Sequence, residues 1–150
     1  MELKFQSVMK QYHTSIKING TLNEVWEELT NFKNYPDWNP IVGKLEGEMK
    51  EGKKISTYIV PLKGTYFPVL LSYNKNMELL WQGTLGAKFL MAAKHYYRLK
   101  AISETQTELQ HGEYFTGLFS YFLSKTFVST MQTAFEQHNI LLKKRIENGR

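Results

Sequence analysis

Hydrophobic and polar positions alternate over residues 11–19, with Tyr12, Thr14, Ile16 and Ile18 on one side and His13, Ser15 and Lys17 on the other. This is the period of a half-buried strand. Asn19-Gly20 ends it, and Thr21-Leu22-Asn23-Glu24 follows with the S/T-x-x-E pattern of a capping box. Val25, Trp26 and Leu29 then fall at helical spacing, which predicts a short helix over residues 22–30. The next stretch, Phe32-Lys33-Asn34-Tyr35-Pro36-Asp37-Trp38-Asn39-Pro40, holds two prolines and three aromatics, so it admits at most a turn of helix before the chain extends again.

From Ile41 the pattern predicts six strands, over residues 41–48, 54–60, 66–73, 78–85, 89–101 and 107–116. Turn-rich stretches such as Lys50-Glu51-Gly52 and Asn74-Lys75-Asn76 separate them, which implies an antiparallel meander. Pro61 and Pro68 cannot donate to a ladder and suit an edge or a bulge. Residues 119–147 contain no Pro and no Gly, and Phe119, Phe122, Leu123, Phe127, Met131, Ala134, Phe135, His138 and Leu142 form one stripe at spacings of three and four. One helix of that extent would run about 43 Å, against a diameter of about 38 Å for a compact domain of this size. It must cross the whole molecule, and the sheet is the one face long enough to bury its stripe.

The chain of 150 residues suits a single domain, residues 1–150. Nine Phe, nine Tyr and three Trp supply ample core material, and the absence of cysteine excludes a disulfide scaffold, a thiolate metal site and a cysteine nucleophile. No apolar run is long enough to span a bilayer and the first residues lack a secretory h-region, so the expected location is cytoplasmic. A net charge of +5 would tolerate an acidic partner, but the basic residues are scattered and three of the nineteen are Arg. That distribution argues against nucleic acid.

The order of elements resembles the helix-grip fold of the SRPBCC superfamily, which includes START and Bet v 1-like proteins. Val25-Trp26-Glu27-Glu28-Leu29 running into Phe32 to Pro40 is similar to the helix pair of the polyketide cyclase/dehydrase-like branch, with its Trp-Asn-Pro turn. His95-Tyr96-Tyr97-Arg98-Leu99 and Thr107-Glu108-Leu109-Gln110-His111-Gly112-Glu113-Tyr114-Phe115-Thr116-Gly117-Leu118 resemble the strands of that branch's hairpin. The resemblance implies an α+β fold, with a curved seven-stranded antiparallel sheet wrapped around a long C-terminal helix and two short helices after strand 1. It also implies a cavity between sheet and helix for a lipid, steroid or polyketide-like ligand. The fold alone fixes no activity.

Alternation places Ala93, His95, Tyr97 and Leu99 on one face of their strand, and Thr107, Leu109, His111, Glu113 and Phe115 on one face of the next. A turn around Ser103 that sets Tyr97 opposite Leu109 also sets His95 opposite His111, with Glu113 diagonal. His111, Glu113 and His95 are therefore the candidate catalytic residues, an acid-base cluster in an apolar pocket. The same three could orient a ligand headgroup or satisfy one another. A metal held by two His and one carboxylate is a further reading of them, but no metal site and no cofactor is assigned.

The candidate ligand-binding residues are Trp38 at the cavity mouth, Trp81, Met91, Tyr97, Leu109 and Phe115 on the strands, and Phe127, Met131 and Phe135 on the helix stripe. Phe89 could also line the cavity. Each has a plain packing alternative. Phosphate loops, dinucleotide fingerprints, H-E-x-x-H and G-x-S-x-G are absent, and Asp37 is the only Asp, so a Ser-His-Asp hydrolase has no support. Two functions stay open: a carrier or sensor of a hydrophobic small molecule, and a cofactor-independent cyclase or dehydratase using the His/Glu pair. A protein-interaction module is less favoured, and the oligomeric state, monomer or homodimer, is left open.

Overall fold

A computed structural model describes residues 10–86 and 90–149. The expected first strand is β1, Lys10–Ile18, with Tyr12, Thr14 and Ile18 turned inward. The capping box forms as its sequence predicts: Thr21 accepts from the Glu24 amide, the Glu24 carboxylate accepts from the Thr21 amide, and α1 runs Leu22–Leu29. A turn of 3-10 helix at Phe32–Asn34 leads into the one-turn α2, Tyr35–Trp38. Asn39 closes this corner by accepting, at Oδ1, the amides of Ile41 and Val42.

The remaining strands are β2 (Val42–Glu46), β3 (Ser56–Ile59), β4 (Gly64–Tyr66), β5 (Val69–Asn74), β6 (Glu78–Leu85), β7 (Met91–Ala101) and β8 (Thr107–Thr116). They do not make one seven-stranded sheet. The eight strands form a five-stranded antiparallel sheet in the order β1-β8-β7-β6-β5 and a three-stranded one in the order β2-β3-β4. The division falls inside the strand expected over residues 66–73, at Phe67-Pro68, because Pro68 has no N–H to donate. The two sheets stay joined by short backbone contacts, from the Ile55 amide to the Pro68 carbonyl and from the Leu70 amide to the Lys53 carbonyl. Pro61 likewise ends β3 in a 3-10 turn, Val60–Leu62. Phe89, at the start of the strand expected over residues 89–101, lies outside the described residues.

The C-terminal helix, α3, is Lys125–Asn148, about 36 Å long and shorter than the pattern predicted. Ser124 caps it, accepting the Phe127 amide at Oγ. Gly117, at φ +94°, breaks the chain direction after β8, and Leu118–Phe122 forms a separate 3-10 turn. Phe119 and Phe122 therefore leave the expected stripe and are 44% and 82% exposed. The buried stripe consists of Met131, Phe135, His138, Asn139, Leu142 and Ile146, laid against the sheet over β1 and β8.

Candidate functional site

The register of β1, β8, β7 and β6 sets inward side chains in rows across the sheet. One row reads Trp81, His95, Glu113, Tyr12. Beside it lies a second, Leu79, Tyr97, His111, Thr14, and on its other side a third, Gly83, Ala93, Phe115, Lys10. The expected pairing of His95 with His111 across the hairpin is corrected: the partners are His95 with Glu113 and Tyr97 with His111. The turn is centred near Glu104 rather than Ser103, since both Ile102 and Ser103 donate their amides to the Gln106 carbonyl. A shift of two residues keeps every side chain on its face, so the cluster survives the correction.

His95, His111 and Glu113 converge. His95 Nε2 lies 2.8 Å from His111 Nε2, and His95 Nδ1 lies 3.6 Å from a Glu113 carboxylate oxygen. The Tyr12 hydroxyl donates to the other Glu113 oxygen at 2.8 Å. Beneath, Asn139 Oδ1 lies 2.9 Å from His111 Nδ1 and 3.2 Å from His138 Nδ1, while its amide nitrogen donates to the Thr14 hydroxyl. Tyr97 extends the chain to His138 Nε2 at 3.4 Å. Aromatic rings enclose the cluster: His95 packs on Trp81, and His95 and His111 both pack on Phe135 and Tyr97.

Burial governs the charges. It raises the Glu113 carboxyl to about 7, with the Tyr12 hydrogen bond pulling the other way. It lowers His138 to about 3, opposed by its bond to Asn139. His95 and His111 are held well below the ordinary imidazole value, first by burial and then by repulsion from His138. Burial also pushes the Tyr12 and Tyr97 phenols well above their ordinary value.

The cluster has one accessible end. His111 and His138 are fully buried and the His95 side chain is 3% exposed, whereas Glu113 retains 16%. The row next to Glu113 is floored by Gly83 and Ala93, and among the described residues a Cβ added at Gly83 would meet no atom within 4 Å. Space is thus free at Gly83, one row from the carboxyl. On the same inward face Met91 and Ala93 are half-buried and Trp81 and Phe115 are buried, and the half-buried Phe127 packs against Phe115.

Tyr97, Leu109, Met131 and Phe135 are packed in the core, and Trp38 sits at the α2 corner against Tyr35 and His138, with Arg145 over its ring. Two clefts, of about 550 and 400 Å³, lie between β1 and α3, lined by residues such as Lys10, Val128, Gln132 and Glu136 in one and His13, Ile16 and Ile140 in the other. None of the nine expected ligand-binding residues lines either of them. Sequence reasoning missed Tyr12, Thr14 and Asn139 as members of the cluster. The first two share the inward face of β1, and Asn139 stands four residues after Phe135 on the helix stripe, so a polar residue at a core position was the available signal. Among the described residues, no group of three His, Asp or Glu side chains is placed to hold a metal.

Residues 9–147 match the family described as polyketide cyclase / dehydrase and lipid transport, and the chain belongs to it. Its fold is similar to that of a START superfamily protein from Mycobacterium smegmatis, with a TM-score of 0.73 and 10% identity over 93% of this chain and 99% of that one. A hypothetical protein from Helicobacter pylori is similar at a TM-score of 0.74 and 13% identity, over 92% of this chain and 88% of the other. DynU16, from the dynemicin biosynthetic locus, is similar at 0.70 and 14%, over 93% of this chain and 48% of its own. No curated protein matches the chain in sequence.

Proposed function

We propose, with membership of the polyketide cyclase/dehydrase and lipid transport family as the premise, that this protein binds a hydrophobic small molecule on the concave face of its sheet, under the first turns of α3, as a carrier or sensor. The observation that supports this reading most is the space at Gly83, paired with Ala93, where an added Cβ would meet none of the described atoms within 4 Å. A core made only for stability closes such spaces, because unfilled volume forfeits dispersion and transfer energy. Here two small residues adjoin a single accessible carboxyl, which is the composition of a ligand pocket: mostly apolar walls and a few placed polar groups. Met91 and Phe127 form the adaptable wall, and a lipid, steroid or polyketide-like molecule fits this lining. The family and the absence, among the described residues, of any helix long and apolar enough to cross a membrane are compatible with a cytoplasmic carrier.

A second reading is favoured by one specific observation, the Glu113 carboxyl raised to about 7 beside a neutral imidazole. In a cofactor-independent cyclase or dehydratase, Glu113 would give a proton to a carbonyl or departing hydroxyl oxygen, and His95, backed by His111, would take one up.

Native mass spectrometry tests binding, with fatty acids, steroids and polyketide-like aromatics titrated against the wild type and Gly83→Leu. The wild type binds one of these classes at micromolar concentration, and the leucine, occupying the open space, removes that binding while the protein stays folded. Absence of any bound lipophile, or equal binding by both proteins, contradicts the proposal. Turnover of the bound compound that is lost in Glu113→Gln with binding retained selects the enzyme reading.

A further inference from the structure

The hydrogen-bond polarity of the buried chain can be followed from a fixed end. The Thr14 hydroxyl donates to the His111 backbone carbonyl at 2.6 Å, so its lone pairs receive the Asn139 amide nitrogen at 2.7 Å. Asn139 Oδ1 must then accept, and both His111 Nδ1 and His138 Nδ1 donate to it. A neutral His111 with its proton on Nδ1 offers only a lone pair at Nε2. His95 Nε2, 2.8 Å away, must be the donor, which leaves His95 Nδ1 as a bare lone pair aimed at Glu113. His138 obeys the same rule, accepting at Nε2 from the Tyr97 hydroxyl.

An ionised Glu113 would therefore face a lone pair across 3.6 Å, with neither a proton nor a positive charge between them. Tyr12 on β1 donates to one of its oxygens, and the Tyr97, His111 and His138 side chains packed nearby are neutral. Lys10, one row away, gives its ammonium to the Leu123 carbonyl. Among the described residues, no cation stabilises a carboxylate here. A protonated carboxyl relieves the conflict, and at 3.6 Å its hydrogen is not committed to His95, since that separation exceeds hydrogen-bonding range.

We propose that the protein keeps Glu113 a neutral carboxylic acid up to about neutral pH, a hydrogen-bond donor that selects neutral, carbonyl-bearing hydrophobic molecules over carboxylates of the same size. The elevated carboxyl titration and depressed imidazoles that burial produces run in the same direction. Thr14, Asn139 and His138 are positioning residues, since they act through the tautomer of His111. The selectivity rests on the binding reading above; the protonation state does not.

The experiment has two arms on the intact protein. Carbon-13 NMR of the glutamate carboxyls between pH 5 and 8 gives Glu113 a midpoint of about 7, and nitrogen-15 spectra show His111 protonated at Nδ1 and His95 at Nε2. A midpoint at the ordinary value of 4.5, or a proton on His95 Nδ1, overturns the proposal. In the second arm, 2-acetylnaphthalene and 2-naphthoate are titrated at pH 6 and pH 8. The ketone binds at least about tenfold more tightly at pH 6, and its affinity falls about tenfold by pH 8 as the acid ionises. Glu113→Gln, which keeps an N–H donor, removes that pH dependence. Equal affinity for the two probes overturns the selectivity. Failure of both to bind while Glu113 titrates near 7 overturns the binding reading and the selectivity with it, and leaves the neutral acid standing.

Discussion

Lowering the pH from 7 to 5 should destabilise this fold sharply. The unfolded chain binds protons at its histidines below the ordinary value of 6.5, whereas in the fold His138 titrates at about 3 and His95 and His111 lie well below 6.5. Stability contributed by these depressed groups is intact above 6.5 and is lost as pH falls toward their folded values. Between pH 7 and pH 5 each histidine that stays neutral in the fold costs about 2 kcal/mol, or about 6 kcal/mol for the three. Glu113 opposes this: its folded value of about 7 lies above the ordinary 4.5, so its contribution is full at low pH and is lost as pH rises through 7. Over the same interval the carboxyl returns about 2 kcal/mol.

The net loss is about 4 kcal/mol, a large share of the about 5 to 15 kcal/mol that holds a domain together. In thermal terms it is about 10 °C for a domain of this size. Urea unfolding at half-unit steps of pH, followed by far-ultraviolet circular dichroism, measures it. His138→Leu should remove about 2 kcal/mol of the acid loss, and Glu113→Gln should steepen it by about 2 kcal/mol. A stability that is flat or rises from pH 7 to pH 5 would refute the buried, neutral state of the three imidazoles.

Other outcomes follow from packing. Phe135 is fully buried against Tyr12, His95 and His111, so Phe135→Ala should cost about 3 to 5 kcal/mol in urea unfolding. At Gly112 an added Cβ would collide with the Tyr96 hydroxyl and sit 2.6 Å from the Tyr12 backbone carbonyl, which cannot rotate away. Gly112→Ala should therefore lower the melting temperature clearly, whereas Gly83→Ala, facing open space, should leave it unchanged or raise it by up to about 1 kcal/mol in stability. Thr21→Ala removes one half of the capping box and should cost about 1 kcal/mol by the same assay.

Local rules with strong sequence signals were legible. The capping box at Thr21, the inward parity of His95, Tyr97, His111 and Glu113, and the alternation of β1 follow from spacing alone, and each is found in the structure. What spacing cannot give is register. A hairpin turn centred on Glu104 instead of Ser103 leaves every side chain on the same face and changes only its register partner, so His95 stands directly opposite Glu113 and reaches His111 diagonally. The stripe of α3 was extended too far because Phe119 and Phe122 fit the helical period. A glycine at positive φ and a serine cap outweigh two apolar residues there, since a helix needs its first turn nucleated and its free amides satisfied. Asn139 carried a weaker signal: its place four residues after Phe135 puts it on the stripe, but a polar residue on a helix reads as solvent-facing until the structure buries it against Thr14 and His111.

The open floor at Gly83 was also beyond reach of pattern, because a glycine in a strand signals a bulge, a bend or a close approach equally well. Its position opposite Ala93 and one row from Glu113 is what supports the proposed site.

The most direct test of ligand binding at this place is amide and methyl NMR of the labelled protein during titration with 2-acetylnaphthalene. Binding on the concave face shifts Gly83, Met91, Ala93, Glu113 and Phe127 together and saturably, and Gly83→Leu abolishes those shifts. Shifts confined to Lys10, Ser129, Gln132 and Glu136 along the β1–α3 cleft, or no saturable shifts at all, would contradict the account.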